Sequence, residues 1–348
     1  MKQQFRNKRI SFFISVMTAI VIILVFGVVS SSVYAGLEHD GSEPVLLEEP
    51  AIPADGSVSD DLIKRSYGTD TDGTELTYSE KQMKPGETVD ISDFNGPTWL
   101  TVYKSGTYYV KGSSTKTLML IHAKSTDDIH IIFGDENQGV RMTATKDGPG
   151  SSAAARSALT IKGDKGGKIT LTSAAGQFCY FRAKGGVPAI RKDSTDAELT
   201  FDTADPDNPG EFRADADKYA TKTSAIGCFS NVTTRNTFGN VIFKNGVIKA
   251  YGSGSGAGSG TIYSFYDGGP GIGADVAGKV NGITFQNAKV TAVAGNKTSA
   301  AIGTASCLLS VEKRYMGIVC DNIRIEGGEI TAKHAHPVKG DGDGHALP

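Results

Sequence analysis

The sequence predicts an all-β fold of repeated coils, and three observations carry that prediction. The segments Asn240–Ala250 (NVIFKNGVIKA), Gly282–Ala292 (GITFQNAKVTA) and Asn322–Ala332 (NIRIEGGEITA) match one another at offsets of 42 and 40 residues. A small-Ile-Gly element recurs at Ser224–Gly227, Pro270–Gly273 and Ala300–Gly303, with a weaker copy at Pro188–Arg191. Apolar residues alternate, as at Ile283 and Phe285 or Ile323 and Ile325, and helical three-and-four spacing is nearly absent.

Similarity at such a period marks a solenoid rather than two ordinary domains. Each unit reads strand, tight Gly/Asn turn, strand, loop, small-Ile-Gly strand, loop. Three short strands per coil, each turning an apolar side chain inward, describe a right-handed parallel β-helix of about six coils. A propeller or a sandwich is the structural alternative. Earlier segments fit the same scheme less regularly: Ile129–Gly134, Val140–Thr145, Ala158–Lys162, Lys168–Thr172, Phe178–Arg182, Glu198–Phe201 and Glu211–Ala214.

In chain order, residues 1–35 read as an export signal. Lys2, Arg6, Lys8 and Arg9 precede an apolar run from Phe12 to Val29, and Val33 and Ala35 suit cleavage after Ala35. The run is also long enough to span a bilayer, so an uncleaved anchor is the alternative and the only membrane contact expected. Residues 36–84 are expected to be an acidic, disordered spacer. Within 36–75, 11 acidic residues face only Lys64 and Arg65, a net charge of −9. The β-helix is placed at 85–335, with the stretch through Trp99, Tyr103, Tyr108, Tyr109 and Leu118–Ile121 as its N-terminal cap. Residues 336–348 form a polar tail.

The chain has 348 residues, 39% hydrophobic and 21% charged, which excludes a disordered chain and a multispanning membrane protein. Its net charge of −2 divides into a basic N-terminus, the acidic stretch and +3 over residues 76–348. That balance argues against a nucleic-acid partner.

The stretches Ser105–Gly112, Ile129–Gly134, Ser157–Gly163 and Lys168–Thr172 resemble secreted carbohydrate-binding β-helix domains of Gram-positive bacteria, similar in fold to pectate lyases. The Gly-Ile-Gly units look like repeats of large surface proteins and adhesins. The resemblance covers about residues 85–335 and implies an extracellular or cell-surface protein that binds polysaccharide, with calcium sometimes held between coils. It transfers no catalytic residue.

Two regions are candidate sites. Asp205, Asp207, Asp215 and Asp217 form the densest acidic group, and Arg213 shares a strand face with Asp215 and Asp217. This is a candidate calcium site with a basic residue beside it, the set a calcium-dependent lyase would need. Against it stands a turn and strand whose charged residues face water. Tyr263, Phe265 and Tyr266 follow a Gly/Ser-rich loop and are candidate sugar-stacking residues, the alternative being a plug over the coil edge. The expected partner is a plant cell-wall or host polysaccharide, bound by a monomer without catalysis. A surface adhesin or spacer, or a lyase, is the alternative. Cys179, Cys228, Cys307 and Cys320 leave disulfides and buried thiols both open.

Overall fold

The computed structural model describes residues 49–51, 62–69, 75–145, 155–218, 220, 222–231, 234–254, 268–295, 299–305 and 319–334. All belong to one unit, residues 44–307 with 315–348. The expected export signal (1–35), Tyr263, Phe265 and Tyr266, Cys307 and residues 336–348 lie outside the described residues.

The first strands are β1 (Ile63–Thr69), β2 (Glu75–Gln82), β3 (Thr88–Asp90), β4 (Thr98–Val102) and β5 (Gly106–Ser114). The chain then runs through six three-strand cycles. They are β6 (Thr117–Ala123), β7 (Asp128–Phe133), β8 (Val140–Thr143); β9 (Leu159–Gly163), β10 (Lys168–Ser173), β11 (Phe178–Arg182); and β12 (Ile190–Lys192), β13 (Glu198–Thr203), β14 (Glu211–Asp215). The later three are β15 (Ile226–Cys228), β16 (Thr237–Phe243), β17 (Val247–Tyr251); β18 (Ile272–Ala274), β19 (Lys279–Phe285), β20 (Lys289–Ala294); and β21 (Ile302–Thr304), β22 (Val319–Ile325), β23 (Glu329–His334).

Each cycle visits three ladders in the same order. The first ladder runs β1-β2-β4-β6-β9-β12-β15-β18-β21, the second β5-β7-β10-β13-β16-β19-β22 and the third β5-β8-β11-β14-β17-β20-β23. The long strand β5 belongs to both of the latter, pairing with β7 through Gly106–Val110 and with β8 through Gly112–Ser114. Every pairing within the cycles is parallel, unlike the antiparallel neighbours of propeller blades and sandwiches. The chain is thus all-β with long parallel sheets, an architecture compatible with a solenoid.

The sequence repeat is the ladder register. Ile190, Ile226, Ile272 and Ile302 stand in one column of the first ladder. Val241, Ile283 and Ile323 stand in one column of the second, and Ile248, Val290 and Ile330 in one of the third. Alternation turns these columns inward, and all members except the terminal Ile302, Ile323 and Ile330 are buried in one continuous core. Phe201, Phe243 and Phe285 stack at 5.0 and 5.1 Å between ring centroids. Each of the three long motifs opens on a left-handed residue, Asn240 (φ 52), Gly282 (φ 85) and Asn322 (φ 54). Asparagine and glycine tolerate that conformation, which kinks the strand without breaking the ladder.

The N-terminal end differs from the sequence expectation. Part of the 36–84 stretch is ordered: β1 pairs antiparallel with β2 and terminates the first ladder. Buried Glu80 holds this end, accepting from Arg65 Nε at 2.5 Å and from Gln82 Nε2 at 3.1 Å. The expected aromatic cap lies within the array itself: Trp99 stands on β4, and Tyr108 points into the core from β5. At the opposite end, Ile323 and Ile325 are 38% and 68% exposed, although their register partners Ile283 and Phe285 are fully buried.

Lys192 breaks the apolar pattern of its own column. Lys192 pairs with Ile161 and is wholly buried, its Nζ donating to the carbonyls of Thr195 (2.8 Å) and Gly239 (2.6 Å). Burial pulls its pKa down to about 8 from 10.5, against the opposing pull of Asp196. Above pH 8 the unfolded chain therefore holds this proton more tightly than the folded one, so stability rises with pH until the unfolded lysine also titrates. Between about pH 8 and 10 the gain is roughly 2 kcal/mol. Urea midpoints of the wild type should rise over that range relative to Lys192→Met, and parallel curves would refute the assignment. At still higher pH, Tyr108 and Tyr180, both raised to about 12 chiefly by burial, make stability fall again.

Candidate functional site

The outward face of the third ladder concentrates aromatic and cationic groups. Strands β8, β11, β14 and β17 place Arg141, Tyr180, Arg213 and Lys249 in one column. Two residues further along the strands, Thr143, Arg182, Asp215 and Tyr251 form the next. Alternation dictates this placement: in β11, Cys179 and Phe181 point into the core, so Phe178, Tyr180 and Arg182 point out.

These side chains interlock. The guanidinium carbon of Arg141 lies 4.8 Å from the Tyr180 ring centroid, and that of Arg213 lies 5.6 Å from Tyr180 and 4.8 Å from Tyr251. Phe178, 44% exposed, stacks on Tyr180 at 6.0 Å. Arg213 donates to both oxygens of Asp215, Nε to Oδ1 at 3.0 Å and Nη2 to Oδ2 at 3.1 Å. The Tyr180 hydroxyl donates to Oδ2 at 2.8 Å. Burial, then the neighbouring Asp215 carboxylate, pushes the Tyr180 hydroxyl up to about 12, so it remains a donor at any physiological pH.

Asp215 thus orders the centre of the wall and holds Arg213 in place. Arg141 and Arg182 have no carboxylate partner among the described residues. Their forks are free to meet a bidentate acceptor such as a carboxylate, and Phe178 offers an apolar face beside them.

The four predicted metal-ligating aspartates do not converge. Asp205 accepts from the Asp207 N–H at 2.9 Å within the turn between β13 and β14. Asp217, beyond β14, accepts from the Gly185 N–H at 2.8 Å. Among the described residues no group of three or more His, Cys, Asp or Glu could hold a metal ion. Arg213 and Asp215 do share one face, as their spacing predicts, but as an ion pair. Tyr263, Phe265 and Tyr266 lie outside the described residues. Phe178, Arg141, Tyr180, Arg182 and Tyr251 escaped sequence reading, although the alternation in Phe178–Arg182 already turns three of its side chains outward.

Two other groups bear on chemistry. Burial raises the Asp275 carboxyl well above the usual carboxylate range; its Oδ1 accepts from the Ser224 N–H (2.6 Å) and hydroxyl (2.7 Å), and it is 3% exposed. Cys179 and Cys228 are free, buried thiols in different ladders, and Cys320 is free and exposed. No family model, curated protein or solved structure matches the chain.

Proposed function

We propose that the chain is an exported right-handed parallel β-helix that binds an acidic polysaccharide on the outward wall of its third ladder, without cleaving it. The observation that carries this reading is the interlocked cluster of Arg141, Tyr180 and Arg213 with Tyr251 of the next column, ordered by Asp215 and carrying the open forks of Arg141 and Arg182. Arg141 and Arg213 stand two strands apart with Tyr180 between them, and Arg182 lies on the middle strand; cations spaced along the wall suit a chain of carboxylates, and stacked aromatics suit the apolar faces of sugar rings. The basic and apolar N-terminal run supports export. Calcium enters no step.

The test is binding of the full chain to polygalacturonate, to cellulose and to host glycans. Binding to polygalacturonate should weaken as salt rises and fall about tenfold in Arg141→Ala/Arg182→Ala, a pair whose removal leaves the core intact. Unchanged affinity in that variant would refute the wall as the binding surface. Binding to proteins or cells but to no isolated polymer would select a surface adhesin or spacer. Release of unsaturated uronides would select a lyase.

A further inference from the structure

Glu49 belongs to the acidic stretch, yet its carboxylate is held against the first ladder. Its side chain is 9% exposed, with one oxygen on Lys162 Nζ and the other on the Arg191 guanidinium. Pro50 beside it is buried. Lys162 stands on β9 and Arg191 on the adjacent β12. Arg191 is itself only 8% exposed, and its Nε faces Asp193 Oδ2 at 2.9 Å. Asp193 is fixed in turn, its Oδ1 accepting from the Phe229 N–H at 2.8 Å.

Arg191 is the buried cation of this wall, and Asp193 faces its Nε, with the buried Asp275 acting on both. Lys162 beside it keeps its side chain 44% exposed. The carboxylate that bridges these two cations comes from 142 positions away from Arg191 in the sequence. Both oxygens of that carboxylate are used, each by a different cation, which is the pattern of a carboxylate-recognition site rather than of an exposed ion pair.

We propose that Lys162, Arg191 and Asp193 form a carboxylate-binding site in which Glu49 is a displaceable internal occupant, and for which the carboxylate of a uronic acid competes. The exchange is isoelectric: one singly charged, two-oxygen acceptor replaces another. The site lies on a different ladder from the aromatic wall and does not rest on it.

Hexagalacturonate binding to the full chain, followed by calorimetry, tests this. Glu49→Gln keeps the size of the side chain but vacates the charge, and should bind about tenfold more tightly than wild type, because the internal competitor is gone. The gain should vanish in Glu49→Gln/Lys162→Met and survive in Glu49→Gln/Arg141→Ala/Arg182→Ala, which separates this site from the wall. A neutral hexasaccharide should show no gain. Equal affinity in wild type and a folded Glu49→Gln, or a gain that persists without Lys162, would overturn the proposal and leave Glu49 as a structural latch.

Discussion

Gly273→Ala is expected to cost more than about 4 kcal/mol, enough to unfold the C-terminal cycles at ambient temperature. Gly227, Gly273 and Gly303 occupy one column of the first ladder, immediately after the buried Ile226 and Ile272 and the half-buried Ile302. A Cβ on Gly273 would lie 1.7 Å from the Gly303 carbonyl oxygen and 2.7 Å from its carbon, and φ is +143°. The obstacle is backbone of the next strand, so no rotamer relieves it; β18 and β21 must part. Gly86→Ala is the control: φ is +82°, but nothing lies within 4 Å of the added carbon. The control should cost only about 1–2 kcal/mol, the price of a left-handed alanine. Urea midpoints of the two variants decide it. A loss for Gly273→Ala no larger than for Gly86→Ala would show that the column relaxes.

Phe243→Ala is expected to cost about 3–5 kcal/mol. The ring is fully buried between Phe201 and Phe285, in nearly parallel stacks with interplanar angles of 14° and 10°. Truncation leaves a cavity whose walls belong to three successive cycles, each pinned by its own ladder bonds, so the site cannot collapse. Ile325→Ala, one cycle beyond Phe285 in the same column but 68% exposed, should cost less than about 1 kcal/mol. Thermal unfolding of the pair measures the contrast, and comparable losses would mean that the exposed end is as tightly packed as the interior.

Much of the architecture was legible because its signals are local or periodic. The motif opening at Asn240, Gly282 and Asn322 aligns by eye, and the ladders pair those copies residue for residue. The candidate site was legible only in part. Arg213 and Asp215 share a face because they are two residues apart on one strand. The partners that make them a wall are set by lateral register: Tyr180 meets Arg213 and Arg141 only because β11 lies between β14 and β8. In the early cycles the sequence repeat is too degenerate to fix that register. Glu49 was hidden for another reason. Among many acidic neighbours, composition reads it as spacer, and only burial beside Arg191 distinguishes it.

Unequal cycle lengths carry a consequence of their own. Ile169 pairs with Leu199, 30 residues on, whereas Leu199 pairs with Val241, 42 residues on, yet both registers are unbroken. The chain entropy of closing the longer excursion exceeds that of the shorter by only about 0.3 kcal/mol. A lost ladder contact costs several times more. Lengthening a corner is therefore almost neutral energetically while displacing a strand is not, so the connections can differ in length while the stack stays in step. The corners are the places where such a molecule acquires new surfaces without refolding.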